Sequence, residues 1–307
     1  MIGRSALFRL IPAAYSPFHP DGRLNLDGVP ALAELYREAG LDTVFVCGTT
    51  GEFASMTTEE RMELAARWAA ESDGLRVLVH AGHPCQQDAI RLAAHARSIG
   101  AAGVSALAPF YFVPQRVEEV VAFLTPIAEA VAPLPFYYYE IPSMTGARIP
   151  PDAVFQALAA QIPNFAGLKF SSPDLVRFQA CRPAAGPDLD RYFGYDEMLL
   201  AAVAVGASGA IGSTYNYIAP LYQAMLAAHD AGRREEAMRL QRTSVQLVDI
   251  LGRCGGLSAG KAVMEMVGAP CGPVRLPLRP LSSADRQALF EALAGIDAFI
   301  RPLQRPV

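Results

Sequence analysis

The stretch Phe165-Ala166-Gly167-Leu168-Lys169-Phe170-Ser171 has the pattern of a short buried strand. It is apolar apart from Lys169 and the final serine, and Pro163-Asn164 and Ser172-Pro173-Asp174 bound it on either side. A brief apolar run between turn residues is typical of a strand that is covered on both faces. The stretch also belongs to a series, because similar runs recur along the chain and each is followed by a segment of helical length.

That alternation occurs eight times, and it predicts a closed (β/α)8 TIM barrel of parallel strands. A doubly wound open sheet is the competing fold, but its GxGxxG fingerprint after the first strand is missing. Segments such as Thr58–Ser72 and Gln86–Ile99 have helical length. The predicted strands cover about 6–15, 43–48, 76–82, 103–109, 135–141, 165–171, 191–195 and 207–212.

No linker or low-complexity stretch separates a second domain. We therefore expect one structural domain, in which residues 1–214 form the barrel core and residues 215–307 form the final barrel helix and a C-terminal helical extension. The helices of this second part are predicted at about 215–231, 234–252, 258–267 and 282–299.

Composition narrows the class of protein. Apolar residues make up 52% of the 307 residues and charged residues 18%, so a large core is expected. The net charge of -4, without a basic cluster, argues against a nucleic-acid partner. No segment approaches the roughly 20 apolar residues of a membrane span, and the first apolar run is interrupted by Arg9 and Pro12. The odd number of scattered cysteines favours reduced thiols and a cytoplasmic location; they are Cys47, Cys85, Cys181, Cys254 and Cys271.

Lys169 is unusual because the chain contains only one other lysine, Lys261, and uses arginine elsewhere. Burial favours the uncharged amine of a lysine, which is the nucleophile needed for a Schiff base, whereas arginine cannot be discharged in this way. The alternative is a structural lysine paired with a carboxylate. Strand alternation points Lys169 and Ser171 inward if Leu168 and Phe170 face the helices.

Polar residues cluster at the predicted carboxyl ends of the strands, where barrel enzymes hold their active sites. Tyr139 lies near the carboxyl end of the fifth strand and could move protons for a Schiff-base lysine, or it could be a packing residue. The turn Gly48-Thr49-Thr50-Gly51-Glu52 offers hydroxyls, N–H groups and a helix N-terminus to a carboxylate. It lacks the GK[ST] of a nucleotide-binding loop, and an ordinary glycine turn is the alternative.

Three further features leave alternatives open. His80, His83 and Cys85 could hold a metal, but two histidines three residues apart on a strand end do not converge easily on one ion. The glycines of 206–212 could bind phosphate or could let a strand pass close to a ligand. The pair Asp196-Glu197 could bind sugar hydroxyls, while Asp196 could also cap a helix.

Three motifs together carry a resemblance that extends over about residues 6–280. The GTTGE turn, the Tyr139–Gly146 run Y-x-I-P-x-x-T-G and the G-L-K-F of Gly167–Phe170 resemble the pyruvate-dependent class I aldolases of the dihydrodipicolinate synthase and N-acetylneuraminate lyase family. Further motifs look like the lyase branch; they are 136–139, 167–171, 194–197 and 212–216.

The resemblance implies that Lys169 forms a Schiff base with a keto carbon and that Tyr139 shuttles the proton. It implies that Thr49 and Thr50 hold the pyruvate carboxylate, and that Tyr111 reaches a neighbouring subunit's Tyr139 in a homotetramer. The residues expected to hold the polyol tail of a 2-keto sugar acid are Ser171, Gly194, Asp196, Glu197 and Ser213. The implied chemistry needs no metal and no organic cofactor.

Two positions depart from the family pattern. Met144 stands where the synthases carry an arginine for their second substrate's carboxylate, which argues against a synthase. Glu140 stands where bacterial lyases often have asparagine, which bears on the sugar preference. We therefore expect cleavage of N-acetylneuraminate to N-acetylmannosamine and pyruvate. The alternatives are an aldolase for another 2-keto-3-deoxy acid, a synthase-like condensation, and a catalytically silent sensor of pyruvate or a sugar acid.

Overall fold

The computed structural model describes residues 8–71, 73–182 and 189–306. Eight parallel strands form one sheet in the order β1-β8-β7-β6-β5-β4-β3-β2. Each predicted strand is present and shorter than expected; residues 6 and 7 of the first prediction, and Ser72 of a predicted helix, lie outside the described residues. The strands β1 to β8 are, in order, Arg9–Pro12, Thr43–Val46, Arg76–His80, Gly103–Leu107, Phe136–Glu140, Phe165–Phe170, Asp190–Phe193 and Gly209–Gly212.

A single backbone bridge completes the barrel between the first and second strands. Ala13, just after β1, pairs in parallel with Phe45 of β2, and the N–H of Ala14 donates to the carbonyl of Phe45 at 2.9 Å. The opposite edge of β1 pairs with β8 in full register, for example Leu10 with Ala210. The predicted (β/α)8 barrel is therefore confirmed, and the open-sheet alternative is wrong.

Helices surround the barrel, and α10 to α12 form the C-terminal extension. The helices α1 to α12 are, in order, Val29–Glu38, Thr58–Ala70, Gln86–Ser98, Val117–Val131, Pro142–Thr145, Pro151–Gln161, Leu175–Ala180, Leu199–Ala204, Tyr215–Asp230, Arg234–Arg253, Leu257–Met266 and Ser283–Leu293.

The side chains of the strands divide between two cores, as expected for strands that are buried on both faces. The core between barrel and helices includes Tyr138, Leu168 and Phe170, whereas the barrel interior includes Phe45 and Tyr139. The predicted alternation along β6 is thus confirmed.

The predicted helix over 282–299 is too long, since α12 ends at Leu293. The chain then turns, and the N–H of Ile300 donates to the carbonyl of Tyr217 at 2.8 Å. Buried Ile296 and the ring of Phe299, 6.5 Å from that of Tyr217, fix this segment by tertiary packing. Helical composition continues past Leu293, but contacts with the body of the protein override it. Within the described residues, each helix is too short or too polar to cross a membrane.

Candidate active site

A cavity of about 380 Å³ opens at the carboxyl ends of the barrel strands. All the predicted site residues except Tyr111 line it, although they come from five different strand ends and their following loops. They are Thr49, Thr50, Tyr139, Lys169, Ser171, Gly194, Asp196, Glu197 and Ser213. The closed barrel therefore brings together residues that are far apart in sequence.

Lys169 is buried, with 4% of its surface exposed, and its amine faces the cavity between two aromatic rings. Its Nζ atom lies 4.3 Å from the centre of the Phe45 ring and 4.2 Å from that of Tyr139. Among the described residues, no carboxylate pairs with Lys169. The alternative of a salt-bridged structural lysine therefore does not describe Lys169.

Tyr139 lies beside Lys169 because the two residues occupy matched positions on adjacent strands β5 and β6. Its hydroxyl oxygen is 3.3 Å from Oγ1 of Thr49. The rings of His80 and Phe45 stand edge-on to its ring, with centres 5.4 and 6.0 Å away. Packing thus fixes the ring, while the hydroxyl keeps a polar neighbour at the cavity surface. Tyr139 is both a packing residue and a group available for proton transfer.

The turn after β2 places Thr49 and Thr50 at one end of the cavity. The backbone N–H groups of Thr50 and Gly51 have no hydrogen-bond acceptor among the described residues. Buried backbone donors normally have acceptors, so these groups suit an anionic ligand. The helix that directly follows the turn is the short 3-10 helix Phe53–Ser55, and α2 begins later, capped by its own Thr57.

Asp196 is buried and holds the loop after β7 in place. Its Oδ2 atom accepts hydrogen bonds from the N–H of Thr214 at 2.9 Å and from the Thr214 hydroxyl at 2.6 Å. Burial raises the pKa of Asp196, and the Thr214 hydrogen bonds oppose that shift. A Cβ atom at Gly212 would lie 1.7 Å from Oδ1 of Asp196, so this strand end must be glycine. Asp196 lines the cavity with Oδ2 engaged by Thr214, whereas its buried Oδ1 atom has no hydrogen-bond partner among the described residues.

Glu197 is half-buried at the cavity wall, and its carboxylate has no side-chain partner in the described part of the chain. Burial raises the pKa of Glu197, and the charge of neighbouring Asp196 raises it further. Of this acidic pair, Glu197 therefore has the carboxylate that no other side chain engages and that is only half-buried, so it is the more accessible acceptor for a ligand.

Ser171 and Gly194 meet at the ends of β6 and β7. A Cβ atom on Gly194 would lie 2.1 Å from Oγ of Ser171, so glycine is what allows the serine hydroxyl to reach the cavity. Ser213 adds a half-buried hydroxyl after β8. Together with Glu197, these groups form a polar wall of the cavity at the carboxyl ends of β6, β7 and β8.

Tyr111 lies outside the cavity and is 86% exposed, as is its neighbour Phe112. The two rings are edge-to-face with centres 5.1 Å apart, and Tyr111 has a positive φ of 77°. Two exposed aromatic side chains in one strained turn form an apolar projection on the isolated chain.

The two positions that depart from the family pattern lie in different surroundings. Met144 is 64% exposed at the cavity mouth and supplies no charge there. The Glu140 side chain does not line the cavity, because it lies on the same face of β5 as Tyr138, whose hydroxyl donates to it. Burial raises the pKa of Glu140 to about 7. Glu140 therefore cannot set the sugar preference by direct contact.

The histidines of the metal alternative have separate partners. His80 is fully buried, and its Nδ1 lies 2.9 Å from Oγ of Ser105. Burial lowers the pKa of His80 well below its ordinary value. His83, Cys85 and Asp88 lie close together outside the cavity. However, Nδ1 of His83 accepts the N–H of Cys85 at 3.0 Å.

The glycines considered for phosphate binding do not gather at the mouth. Gly206 precedes β8, at the opposite end of the barrel, and its carbonyl accepts a hydrogen bond from Nη2 of Arg191 at 2.6 Å. Only Gly212 reaches the cavity.

Sequence reasoning missed one wall of the cavity. The extension supplies Val248, Leu251 and Gly252 from α10, Leu257 from α11 and Gly256 from the connection between them. Other parts of the chain supply Tyr15, Ser143 and Tyr217. No motif marks the residues of the extension, because an apolar helical residue that faces a ligand looks the same in sequence as one that faces the core.

Comparison with known proteins agrees with this geometry. The model of the dihydrodipicolinate synthetase family matches residues 6–296. An N-acetylneuraminate lyase of Gallus gallus is 35% identical over 308 residues, which cover 98% of this chain and 99% of that protein.

Solved structures show the same similarity. An N-acetylneuraminate lyase from Proteus mirabilis has a TM-score of 0.92 and 33% identity, covering 95% of this chain and 99% of its own. A dihydrodipicolinate synthase from Bacillus anthracis has a TM-score of 0.88 and 28% identity, covering 95% and 99%. Both branches therefore share the fold, and the side chains of the site must distinguish between them.

Proposed function

Because this chain belongs to the dihydrodipicolinate synthetase family, we propose that it is a class I aldolase that cleaves N-acetylneuraminate to N-acetylmannosamine and pyruvate. The observation that carries the proposal is the buried amine of Lys169, which faces a cavity without a carboxylate partner among the described residues and lies beside Tyr139. This is the arrangement that covalent catalysis on a carbonyl substrate requires.

Lys169 starts the reaction. Its uncharged amine adds to the keto carbon of the open-chain sugar acid, and the carbinolamine loses its hydroxyl as water to give an iminium ion. Tyr139 supplies the proton that the departing hydroxyl needs. The faces of Phe45 and Tyr139, 4.3 and 4.2 Å from the nitrogen, favour the positive charge that then forms there.

The same tyrosine then serves as the base. The phenolate of Tyr139 takes the proton of the C4 hydroxyl while the C3–C4 bond breaks. The electron pair of that bond converts the iminium ion to a neutral enamine. N-acetylmannosamine leaves as the aldehyde. Protonation of the enamine at C3 and addition of water release pyruvate and restore Lys169 and Tyr139 to their starting states.

The two ends of the cavity match the two ends of the substrate. Thr49, Thr50 and the free N–H groups of their turn provide donors for the carboxylate. Glu197, with Ser171 and Ser213, provides acceptors and donors for the neutral hydroxyls of the sugar. Buried Asp196 and Gly194 shape this second end.

A synthase-like condensation is the second candidate, since a synthase shares the fold. Such an enzyme must hold the carboxylate of a second substrate beside the enamine. Met144 offers no charge or donor at that position, whereas arginine would provide a bidentate clamp. An aldolase for a shorter 2-keto-3-deoxy acid would use the same pyruvate end. A silent sensor would have no use for the pairing of Lys169 with Tyr139.

We also propose a homotetramer in the cytoplasm. The exposed projection of Tyr111 and Phe112 supports association, because another copy could bury these rings and bring Tyr111 toward its Tyr139. The five cysteines are all unpaired, which supports a reducing compartment. The proposed reaction uses no metal ion and no organic cofactor.

A substrate comparison tests the assignment. Purified protein should release pyruvate from N-acetylneuraminate faster than from shorter 2-keto-3-deoxy acids, and it should not condense pyruvate with aspartate semialdehyde. Condensation without sugar-acid cleavage would instead assign the synthase reaction. Turnover of only the shorter acids would assign the other aldolase, and pyruvate binding without any turnover would assign the sensor.

A further inference from the structure

The turn that carries Thr49 and Thr50 ends at Glu52, a residue whose side chain lies away from the cavity. Glu52 has a positive φ of 55°, a conformation that non-glycine residues seldom adopt. Its carboxylate is fixed on both oxygens. Oε1 lies 2.7 Å from Nζ of Lys261, and Oε2 accepts the backbone N–H of Arg275 at 2.8 Å.

Lys261 is the second of the two lysines, and its surroundings contrast with those of Lys169. It lies on α11 with 3% of its side chain exposed, and it also donates to the carbonyl of Pro273 at 2.8 Å. The ring of Phe18 lies 4.2 Å from both the Lys261 amine and the guanidinium of Arg275. The C-terminal extension thus reaches the back of the turn through buried charges.

A second ion pair holds the same segment to the barrel. The Arg275 guanidinium contacts both carboxylate oxygens of Glu60, at 2.7 and 2.5 Å, and donates to the carbonyls of Gly22 and Ser55. The position of the Arg275 backbone is therefore set independently of Glu52. It can act as a fixed support for the carboxylate of Glu52.

A buried ion pair adds little net stability, because desolvation offsets the attraction and apolar replacements are often as stable. An ion pair at Oε1 and a hydrogen bond at Oε2 nevertheless give the Glu52 carboxylate one defined position. We infer that Glu52 and Lys261 are positioning residues, which hold the turn so that the hydroxyls of Thr49 and Thr50 and the free N–H group of Thr50 converge on the carboxylate of a 2-keto acid. The inference rests on the proposed function.

This role has a distinct chemical signature. Lys169 is held by its own strand between Phe45 and Tyr139, so its reactivity toward a ketone should survive a change in the turn. What should be lost is the preference for a ketone that carries a carboxylate. A purely structural role would lower stability and leave that preference unchanged.

The test is borohydride trapping at Lys169 with pyruvate and, in parallel, with hydroxyacetone, a neutral three-carbon ketone. The measured quantity is the ratio of the two trapping efficiencies at limiting ketone. In Glu52→Gln and in Lys261→Met this ratio should fall roughly 10- to 100-fold, as expected when hydrogen bonds to a charged group are lost. Trapping of hydroxyacetone should stay within about threefold of wild type.

The double variant Glu52→Gln/Lys261→Met distinguishes a loss of turn positioning from a loss of folding stability. It leaves no unpaired buried charge, so it should fold even if a single variant does not. The inference expects its ratio to remain low. Asp190→Asn makes the same carboxylate-to-amide change at the opposite end of the barrel, where Asp190 accepts hydrogen bonds from Tyr137 and Tyr192. It should keep the wild-type ratio.

The outcomes are distinguishable. A wild-type ratio in the folded double variant would overturn the positioning role and leave the proposed function intact. An equal fall in Asp190→Asn would also overturn it, since general loosening would then explain the effect. If wild-type protein trapped no pyruvate at Lys169, the proposed function itself would fail.

Discussion

Lys169 and Tyr139 occupy matched positions on adjacent parallel strands, and the amine of the first lies 4.2 Å from the ring centre of the second. The ring face favours a cation on the nitrogen, and the hydroxyl at the ring's edge is free to exchange protons with a bound substrate. One aromatic side chain can thus stabilise the positive charge and transfer the proton in Schiff-base chemistry.

Lys169 should be the residue that pyruvate labels. Incubation with pyruvate and borohydride should add one three-carbon unit irreversibly, and peptide mass spectrometry should place it on Lys169. Lys261 should stay unmodified because its amine is enclosed by Glu52 and Pro273. Lys169→Arg keeps a long basic side chain but cannot form the adduct, so label and turnover should both disappear. Label on Lys261, or inactivation by a chelator in place of borohydride, would contradict the mechanism.

Tyr139→Phe should fold normally, because the ring and its contacts with His80 and Phe45 remain. Its kcat should fall roughly 100- to 10,000-fold through loss of the acid-base group. A matched change in the same strand is Tyr138→Phe, which removes a hydroxyl directed toward Glu140 and away from the cavity. That variant should retain kcat within about tenfold of wild type. Near-normal turnover in Tyr139→Phe would leave Tyr139 as a packing residue only.

Tyr111 should matter only in the assembled protein. If another copy buries its exposed ring and brings the hydroxyl near Tyr139, Tyr111→Phe should reduce kcat by about 3- to 30-fold and preserve the assembly. Sedimentation across a dilution series, with activity measured on the same samples, checks the coupling. A fully active monomer would rule out a contribution from a neighbouring subunit.

The alternation of strands and helices was sufficient to predict the barrel, because buried parallel strands produce short apolar runs that composition reveals directly. It also placed Lys169 and Ser171 inward, since side chains alternate strictly along a strand. The same rule puts the side chains of Glu140 and Tyr138 on one face of β5. The family pattern drew attention to Glu140 as a specificity position, yet the parity of the strand directs it away from the cavity.

Other features could not be read from the sequence because they depend on contacts between distant segments. Glu52 and Lys261 are far apart in sequence, and they pair only in the folded chain. The acidic pair also hid a difference, since Asp196 is bonded to Thr214 while Glu197 is not. Local pattern identifies the kinds of groups present, and tertiary contacts decide which of them remain free.

Glu140 should make the stability of the folded chain depend on pH. Its pKa is raised by burial from 4.5 to about 7, so the folded state retains a proton that the unfolded state loses. The contribution to stability is therefore full below about pH 4.5 and declines as pH rises to about 7, by about 3 kcal/mol. Glu140→Gln removes this dependence. The free energy of unfolding of the variant, relative to that of wild type, should therefore increase as pH rises across that interval. A difference that does not change with pH, in denaturant titrations of both proteins, would contradict the burial effect.

Glu197 should govern use of the sugar and leave capture of pyruvate unchanged. Losing a hydrogen-bonding charged group in an enclosed site costs about 1.5–3 kcal/mol, so Glu197→Ala should lower kcat/KM for N-acetylneuraminate roughly 10- to 200-fold. Borohydride trapping of pyruvate at Lys169 should match wild type, since Glu197 lies at the other end of the cavity from Thr49 and Thr50.

The pH dependence gives an independent check on this carboxylate. Because burial raises the pKa of Glu197, the ionised form that accepts sugar hydroxyls is lost as pH falls through the raised value. The kcat/KM of wild type should therefore decline at acidic pH. Glu197→Gln should have a lower kcat/KM that no longer changes with pH over this range. Asp196→Asn provides the contrast: its carboxylate is bonded to Thr214, so this change should chiefly lower the melting temperature. If Glu197→Ala and wild type cleaved the sugar acid equally well, the hydroxyls would have to be recognised elsewhere, and the lyase assignment would lose its support at this end of the cavity.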